Sequence, residues 1–246
     1  MNEKLNEIVT VVNAHQQHLI NITNFLKKME LRVELVRSNI DSKSQYLQDL
    51  FVLAETNNKF NGYFVEFGAT DGFTGSNTFL LEKKYGWNGI LAEPARCWAE
   101  SLKKSRKCNI DTRCVWSESN KIIEFSEIES ATLSTANIFL GKDMHANGRA
   151  SGVANQYTVE TTSLIDLLDQ HSAPHTIDYL SVDTEGSEYL ILSNFDFSKY
   201  DINIITVEHN WTSDREKIFQ LLTSVGYVRK HQDLTDCDDW YVKQKI

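Results

Sequence analysis

The sequence predicts an open, mostly parallel α/β sheet covered on both faces and preceded by an N-terminal coiled-coil helix. Three observations predict it. From Gly62 onward, short apolar runs alternate with amphipathic segments, as in a sheet whose parallel strands are joined by helices. The first two runs, Tyr63-Phe64-Val65 and Gly89-Ile90-Leu91-Ala92, enclose Glu66-Phe67-Gly68-Ala69-Thr70-Asp71-Gly72 and a helix-like stretch, and the second ends on Glu93. Strand, glycine turn, helix, strand and acid is the layout of a βαβ nucleoside site. Third, residues 1–40 contain neither Gly nor Pro and repeat apolar residues at alternating three- and four-residue spacing.

That repeat runs Leu5, Ile8, Val12, His15, Leu19, Ile22, Leu26, Met29, Val33, Val36, Ile40, and ten of the eleven positions are apolar. A seam sustained this long is a heptad rather than a single amphipathic turn. With Leu5 as the first a position, His15 falls at d. A helix of this length spans about 50 Å, and its predicted use is homo-oligomerisation through residues 1–40. Folding back on the α/β domain as an amphipathic helix is the alternative. The polar face is mostly Asn, Gln and Glu, so it lacks the Lys/Arg stripe of a membrane-surface helix. The mixed Leu/Val a and Ile/Met/Val d residues select no strand number.

Asp41-Ser42-Lys43-Ser44 breaks the heptad and opens a helix over 45–57. Strands are then predicted at 62–67, 88–93, 110–116, 121–126, 155–161, 178–183, 202–208, 225–230 and 239–243. Helices are predicted at 76–85, 95–105, 163–170, 187–194 and 213–223, with Gly86 and Gly226 at helix C-caps. Residues 127–154 have weak periodicity and read either as an insertion above the sheet edge, placed to cap a substrate, or as a plain surface loop. The division is therefore 1–40, the heptad helix, and 41–246, the α/β domain.

Composition narrows the function. A net charge of −9 argues against a phosphate-backbone binder, so no nucleic-acid partner is expected. Apolar content of 41% supplies a core. Cys97, Cys108, Cys114 and Cys237 show no C-x-x-C or zinc spacing and read as free thiols of a reducing compartment. No apolar stretch approaches the eighteen or so residues of a membrane span. The polar N-terminus lacks a signal-peptide pattern, and a cytoplasmic location is expected.

Four predicted strand ends carry polar residues that α/β geometry gathers at one edge: Glu66-Phe67-Gly68, Glu93-Pro94, Asp183-Thr184-Glu185-Gly186-Ser187-Glu188 and Glu208-His209-Asn210. One such acid is as readily a helix N-cap; four in register point to a site. Glu66 beside the glycine turn suits a cationic ligand better than a pyrophosphate, and S-adenosylmethionine (SAM), with its ammonium and sulfonium, fits. Glu93 suits bidentate acceptance from two ribose hydroxyls. Adenine is expected by Trp116 and Ser117, although Trp116 reads equally as core. Asp183 is expected to face the reactive methyl. His209 is the general-base candidate, because its ordinary pKa lies nearest neutrality, against the commoner structural role of a strand-end His. Asp183, Glu185, Glu208 and His209 also form a set that can hold a hard divalent cation, but their spacing forces no such geometry and no metal is assigned.

At these residues the chain resembles the FkbM family of SAM-dependent methyltransferases. The likeness runs from Ser44-Gln45-Tyr46-Leu47-Gln48-Asp49 through F-V-E-F-G-A-T-D-G, Ser76-Asn77-Thr78, W-N-G-I-L-A-E-P, D-Y-L-S-V-D-T-E-G-S-E and V-E-H-N to Asp238-Asp239-Trp240-Tyr241-Val242. It implies a Rossmann-like class I methyltransferase fold whose last strand is antiparallel. It also implies O-methylation, commonly of a sugar or glycan hydroxyl (polysaccharide and lipid-linked acceptors included) or of a polyketide-type product. Residues and resemblance together give a cofactor-binding set of Glu66, Gly68, Thr70, Asp71, Asn77, Glu93, Ser117 and Asp183, with Asp183, Glu185 and His209 as the catalytic set. Two other readings compete: a coiled-coil interaction protein with an inactive α/β domain, and an NAD-dependent oxidoreductase. The latter lacks G-x-G-x-x-G, and its pyrophosphate would meet Glu66.

Overall fold

In the computed structural model the described residues are Gln16, 41–142, 145–150, 152–232 and 235–244. The heptad calls of residues 1–40 lie outside them, Gln16 apart. The α/β unit begins with α1 (Gln48–Glu55), β1 (Tyr63–Phe67), α2 (Phe79–Tyr85), β2 (Asn88–Ala92), α3 (Ala99–Ser105) and β3 (Asn109–Asp111). There follow β4 (Cys114–Trp116), β5 (Ile122–Ile128), β6 (Thr135–Ala136), α4 (Ala146–Ala150), β7 (Val153–Ser163) and α5 (Leu164–Gln170). Then come β8 (Thr176–Val182), α6 (Glu188–Ser193), β9 (Asp201–Glu208), α7 (Asp214–Ser224), β10 (Tyr227–Lys230) and β11 (Asp238–Lys243).

Seven strands form one sheet in the order β3-β2-β1-β8-β9-β11-β10. Pairing is parallel from β3 to β9, and β11 runs antiparallel to both neighbours. The central strands are apolar on both faces because both are covered. Val65, Ile90, Leu180, Val182, Ile205 and Val207 share one core with Leu167 of α5, Ile191 of α6 and Leu222 of α7. Alternate residues face the other way; there Phe51 of α1 stacks on Trp240 of β11 at 4.6 Å, and the Arg106 guanidinium lies over Phe64. Gly86 takes the left-handed C-cap of α2 at φ +68°. Among the described residues no helix is long and apolar enough to cross a membrane.

Three expectations need correction. The predicted strand 110–116 is two strands: β3 joins the main sheet, whereas β4 pairs with β7 elsewhere. Asp111 makes the break by accepting from the backbone N–H and the guanidinium of Arg113 two residues on. Strands β5 and β7 also leave the main sheet. With β4 and β6 they form a second, four-stranded sheet in the order β4-β7-β5-β6. Finally, the helix predicted from 76 starts at Phe79, because Ser76 and Asn77 are drawn to Glu66.

Candidate active site

The carboxyl ends of the central strands open on one cavity of about 250 Å³, bordered by Gly68, Thr70, Glu93, Asp183, Glu185 and Glu208. Its shape begins with Gly68, which holds φ +71°. A Cβ there would stand 1.9 Å from the Asp183 carbonyl oxygen, so only glycine lets the β1 and β8 turns touch. Thr70, at φ +46°, turns its N–H onto Glu93 Oε2 at 2.8 Å, and Ala95 N–H donates to Oε1 at 2.8 Å. Two donors occupy two of the carboxylate's four acceptor sites. Burial, with the nearby Glu127 charge, pushes Glu93 up to about 7.

Asp183, Glu185 and Glu208 bring carboxylate oxygens within 4.8 Å of one another. Burial first, and the neighbouring carboxylates second, raise Asp183 and Glu208 well above the ordinary range. Carboxylates this close in a buried setting each favour the protonated form of the other, so Asp183 and Glu208 titrate as a pair. Glu208 Oε2 is buried without a partner among the described residues. Glu185 is engaged by an ion pair with the fully buried Arg149, by Asn210 Nδ2 at 3.3 Å and, at its backbone oxygen, by Thr135 Oγ1 at 2.8 Å. Arg149 and Thr135 belong to the insertion, which roofs the cavity with residues 131–134 and His145. Arg149 also donates to the Leu133 carbonyl at 2.9 Å, tying the roof to itself.

Five predicted site residues lie elsewhere. Glu66 sits behind the turn, where Oε1 accepts from Asn77 N–H at 2.8 Å and Oε2 accepts from Ser76 and Thr78 hydroxyls, with Arg106 Nη1 at 3.7 Å. Asn77 is spent between Ser44 and Ser181. Asp71 closes its own turn by accepting from the N–H groups of Phe73 and Thr74. Ser117 does not border the cavity, and Trp116 packs against Phe139 at 5.8 Å. His209 borders a neighbouring hollow with Phe139 and Lys142. Its Nδ1 accepts from Trp211 N–H at 3.1 Å, its Nε2 is 3.9 Å from Asp239, and burial pushes it down to about 4. With its proton affinity lowered and its ring in the neighbouring hollow, His209 stands apart from the Asp183, Glu185 and Glu208 carboxylates.

The structure adds residues that the sequence reading did not single out. Cys114, Val115 and Phe125 bring an apolar wall from the second sheet, and Trp211 and Asp236 also border the cavity. The Trp three residues beyond the strand-end Glu208 was the available signal. Arg149 offered none, lying in a segment of weak pattern.

The strand order with its antiparallel β11 is the class I methyltransferase arrangement. Among solved structures, the chain is similar to a precorrin-6y C5,15-methyltransferase from Geobacter metallireducens GS-15, with 9% identity, TM-score 0.44, and coverage of 83% of this chain and 91% of that one. It is similar also to methyltransferase FkbM from Methylobacillus flagellatus KT, with 11% identity, TM-score 0.46 and coverage of 89% and 60%. A TehB-like SAM-dependent methyltransferase from Corynebacterium glutamicum shares 8% identity at TM-score 0.41, over 89% and 97%. No curated protein sequence matches. The methyltransferase FkbM domain matches residues 66–229, two thirds of the chain and the whole run from the first glycine turn to β10, and the chain belongs to that family.

Proposed function

We propose that the protein is a SAM-dependent O-methyltransferase acting on a hydroxyl of a sugar or glycan. The observation that carries this reading is Glu93: a buried carboxylate at the cavity wall, fixed by two backbone N–H groups and with acceptor capacity left over. That donor-hungry arrangement suits a ribose diol. The Gly68 turn, packed against the Asp183 carbonyl, borders the same cavity and sets its backbone edge for the chain of the same ligand. Pro94, Val115 and Phe125 offer an apolar face for the adenine, in place of the expected Ser117. When bound, SAM supplies an electrophilic methyl group on a sulfonium.

The chain's own residues position and deprotonate the acceptor. Asp183 and Glu208, titrating as a pair, present one ionised carboxylate whose proton affinity is raised; it takes the proton of the acceptor hydroxyl. Glu185 sets the position of the roof through Arg149 and Thr135. Most of the rate comes from holding the hydroxyl in line.

Calorimetric titration tests the reading. SAM is expected to bind at micromolar concentration and NAD not at all, with Glu93→Ala weakening SAM by about 10- to 100-fold through loss of hydrogen bonds to a charged group. Unchanged SAM affinity in Glu93→Ala overturns the assignment.

A further inference from the structure

Trp211 is 57% exposed yet borders the same cavity as Asp183 and Glu208. An indole so placed adds little to the core, and the backbone that presents it is unusual. Asn210 and Trp211 hold φ of +43° and +55°, two successive left-handed residues without a glycine. The neighbourhood fixes this shape. His209 N–H donates to the Cys237 carbonyl at 2.7 Å, Trp211 N–H donates to His209 Nδ1, and Thr212 N–H and Oγ1 return to the His209 carbonyl at 2.8 and 2.9 Å. The Arg215 guanidinium lies 4.8 Å from the indole centroid and is itself locked onto both oxygens of Asp239. The His209 ring meets the indole edge-on at 5.3 Å. His209 is thus a positioning residue for Trp211.

We infer that Trp211 is the acceptor platform, stacking on the C–H face of a neutral pyranose. The negative π-face of an indole attracts C–H bonds polarised by ring oxygens. The carboxylates of Asp236, Asp183 and Glu208 border the cavity beside the hydroxyls of Tyr46 and Thr132 and the amide of Gln45, and the Arg215 cation near the indole is already paired with Asp239. A hydroxyl-rich, uncharged ring satisfies both demands, whereas a uronic acid or a phosphosugar would meet carboxylates. This inference rests on the O-methyltransferase reading for its reaction, but saccharide binding is measured apart from it.

The experiment is saturation-transfer NMR on the full chain, using neutral methyl pyranosides of gluco, manno, galacto and rhamno configuration and methyl glucuronide as the charged counterpart. Each sample is also titrated with SAM. Saturation of C–H protons of at least one neutral pyranoside is expected, with affinity weakened by about tenfold in Trp211→Ala and largely restored in Trp211→Phe. SAM affinity is expected to stay unchanged in both variants. Neutral pyranosides that leave the wild type unsaturated, or that bind Trp211→Ala as they bind wild type, overturn the platform; so does preference for the glucuronide. Loss of SAM binding by the wild type would instead overturn the cofactor reading, leaving the two failures distinct.

Discussion

Glu66 and Glu93 are both buried acids at the ends of neighbouring strands, and their partners separate them. Glu66 is saturated by Asn77, Ser76 and Thr78 beside Arg106, whereas Glu93 has two backbone donors and, among the described residues, no cation. The first therefore braces the turn, and the second keeps acceptor capacity to spare at the cavity wall, as the proposed ribose contact requires. Because burial pushes Glu93 up to about 7, it is largely protonated in mild acid. A diol that donates to both oxygens requires the anion, so binding below that pH expels a proton. SAM affinity is expected to fall about tenfold per unit as pH drops below about 7, and to level off above it. Calorimetry in buffers of different ionisation heat measures the proton release; a flat affinity between about pH 5.5 and 8 rules out Glu93 as the anionic acceptor. At this scale the sequence revealed which residues stand at strand ends, since apolar runs fix those positions. It did not reveal which were already satisfied. The donors to Glu66 are near in sequence, but Arg106 and Ser181, which complete that network around Asn77 and Thr78, arrive from distant elements.

The insertion is the element whose role depends most on tertiary contacts. Its helix α4 is too short to stand alone, and what holds it is Arg149, wholly buried against Glu185 and the Leu133 carbonyl. Arg149→Met leaves a buried carboxylate beside Asp183 and Glu208 without its guanidinium, a loss of about 3–5 kcal/mol. Urea unfolding is expected to show it, with Glu185→Gln in the Arg149→Met background recovering part of the loss. Equal stability of the double and single variants would mean that the ion pair does not fasten the roof. The segment had no legible period because it consists of short helical turns and a two-residue strand. The merging of β3 with β4 has the same origin: apolar spacing runs across Thr112-Arg113, and only the Asp111 carboxylate bends the chain there. By contrast, the strands and helices of the main sheet outside that break were readable, as each parallel strand is an apolar run and the helices on it carry an apolar face.

For the whole molecule, the heptad of residues 1–40 is proposed to assemble several α/β domains. Replacing Leu19 and Ile22 together by Glu puts charges at adjacent a and d positions of the seam. Sedimentation equilibrium on the full chain is expected to give an oligomer for the wild type and a monomer for this variant, with SAM affinity unchanged. An oligomer that survives both substitutions assigns assembly to another surface.

The cavity is drawn from separable stretches of chain. Gly68, Thr70 and Glu93 come from the first βαβ unit, whereas residues 131–134, His145, Trp211 and Asp236 come from later connections. Glu185 is the exception, since it borders the cavity beside Asp183 and Glu208 and fastens the roof at once. The two halves can therefore diverge at different speeds. Substitutions around Trp211 or in the roof can exchange one acceptor for another without disturbing the nucleoside side, while position 185 ties access to charge and resists change. If Trp211 and the roof hold the acceptor as proposed, acceptor range is set by the connections, and new specificities are to be sought there.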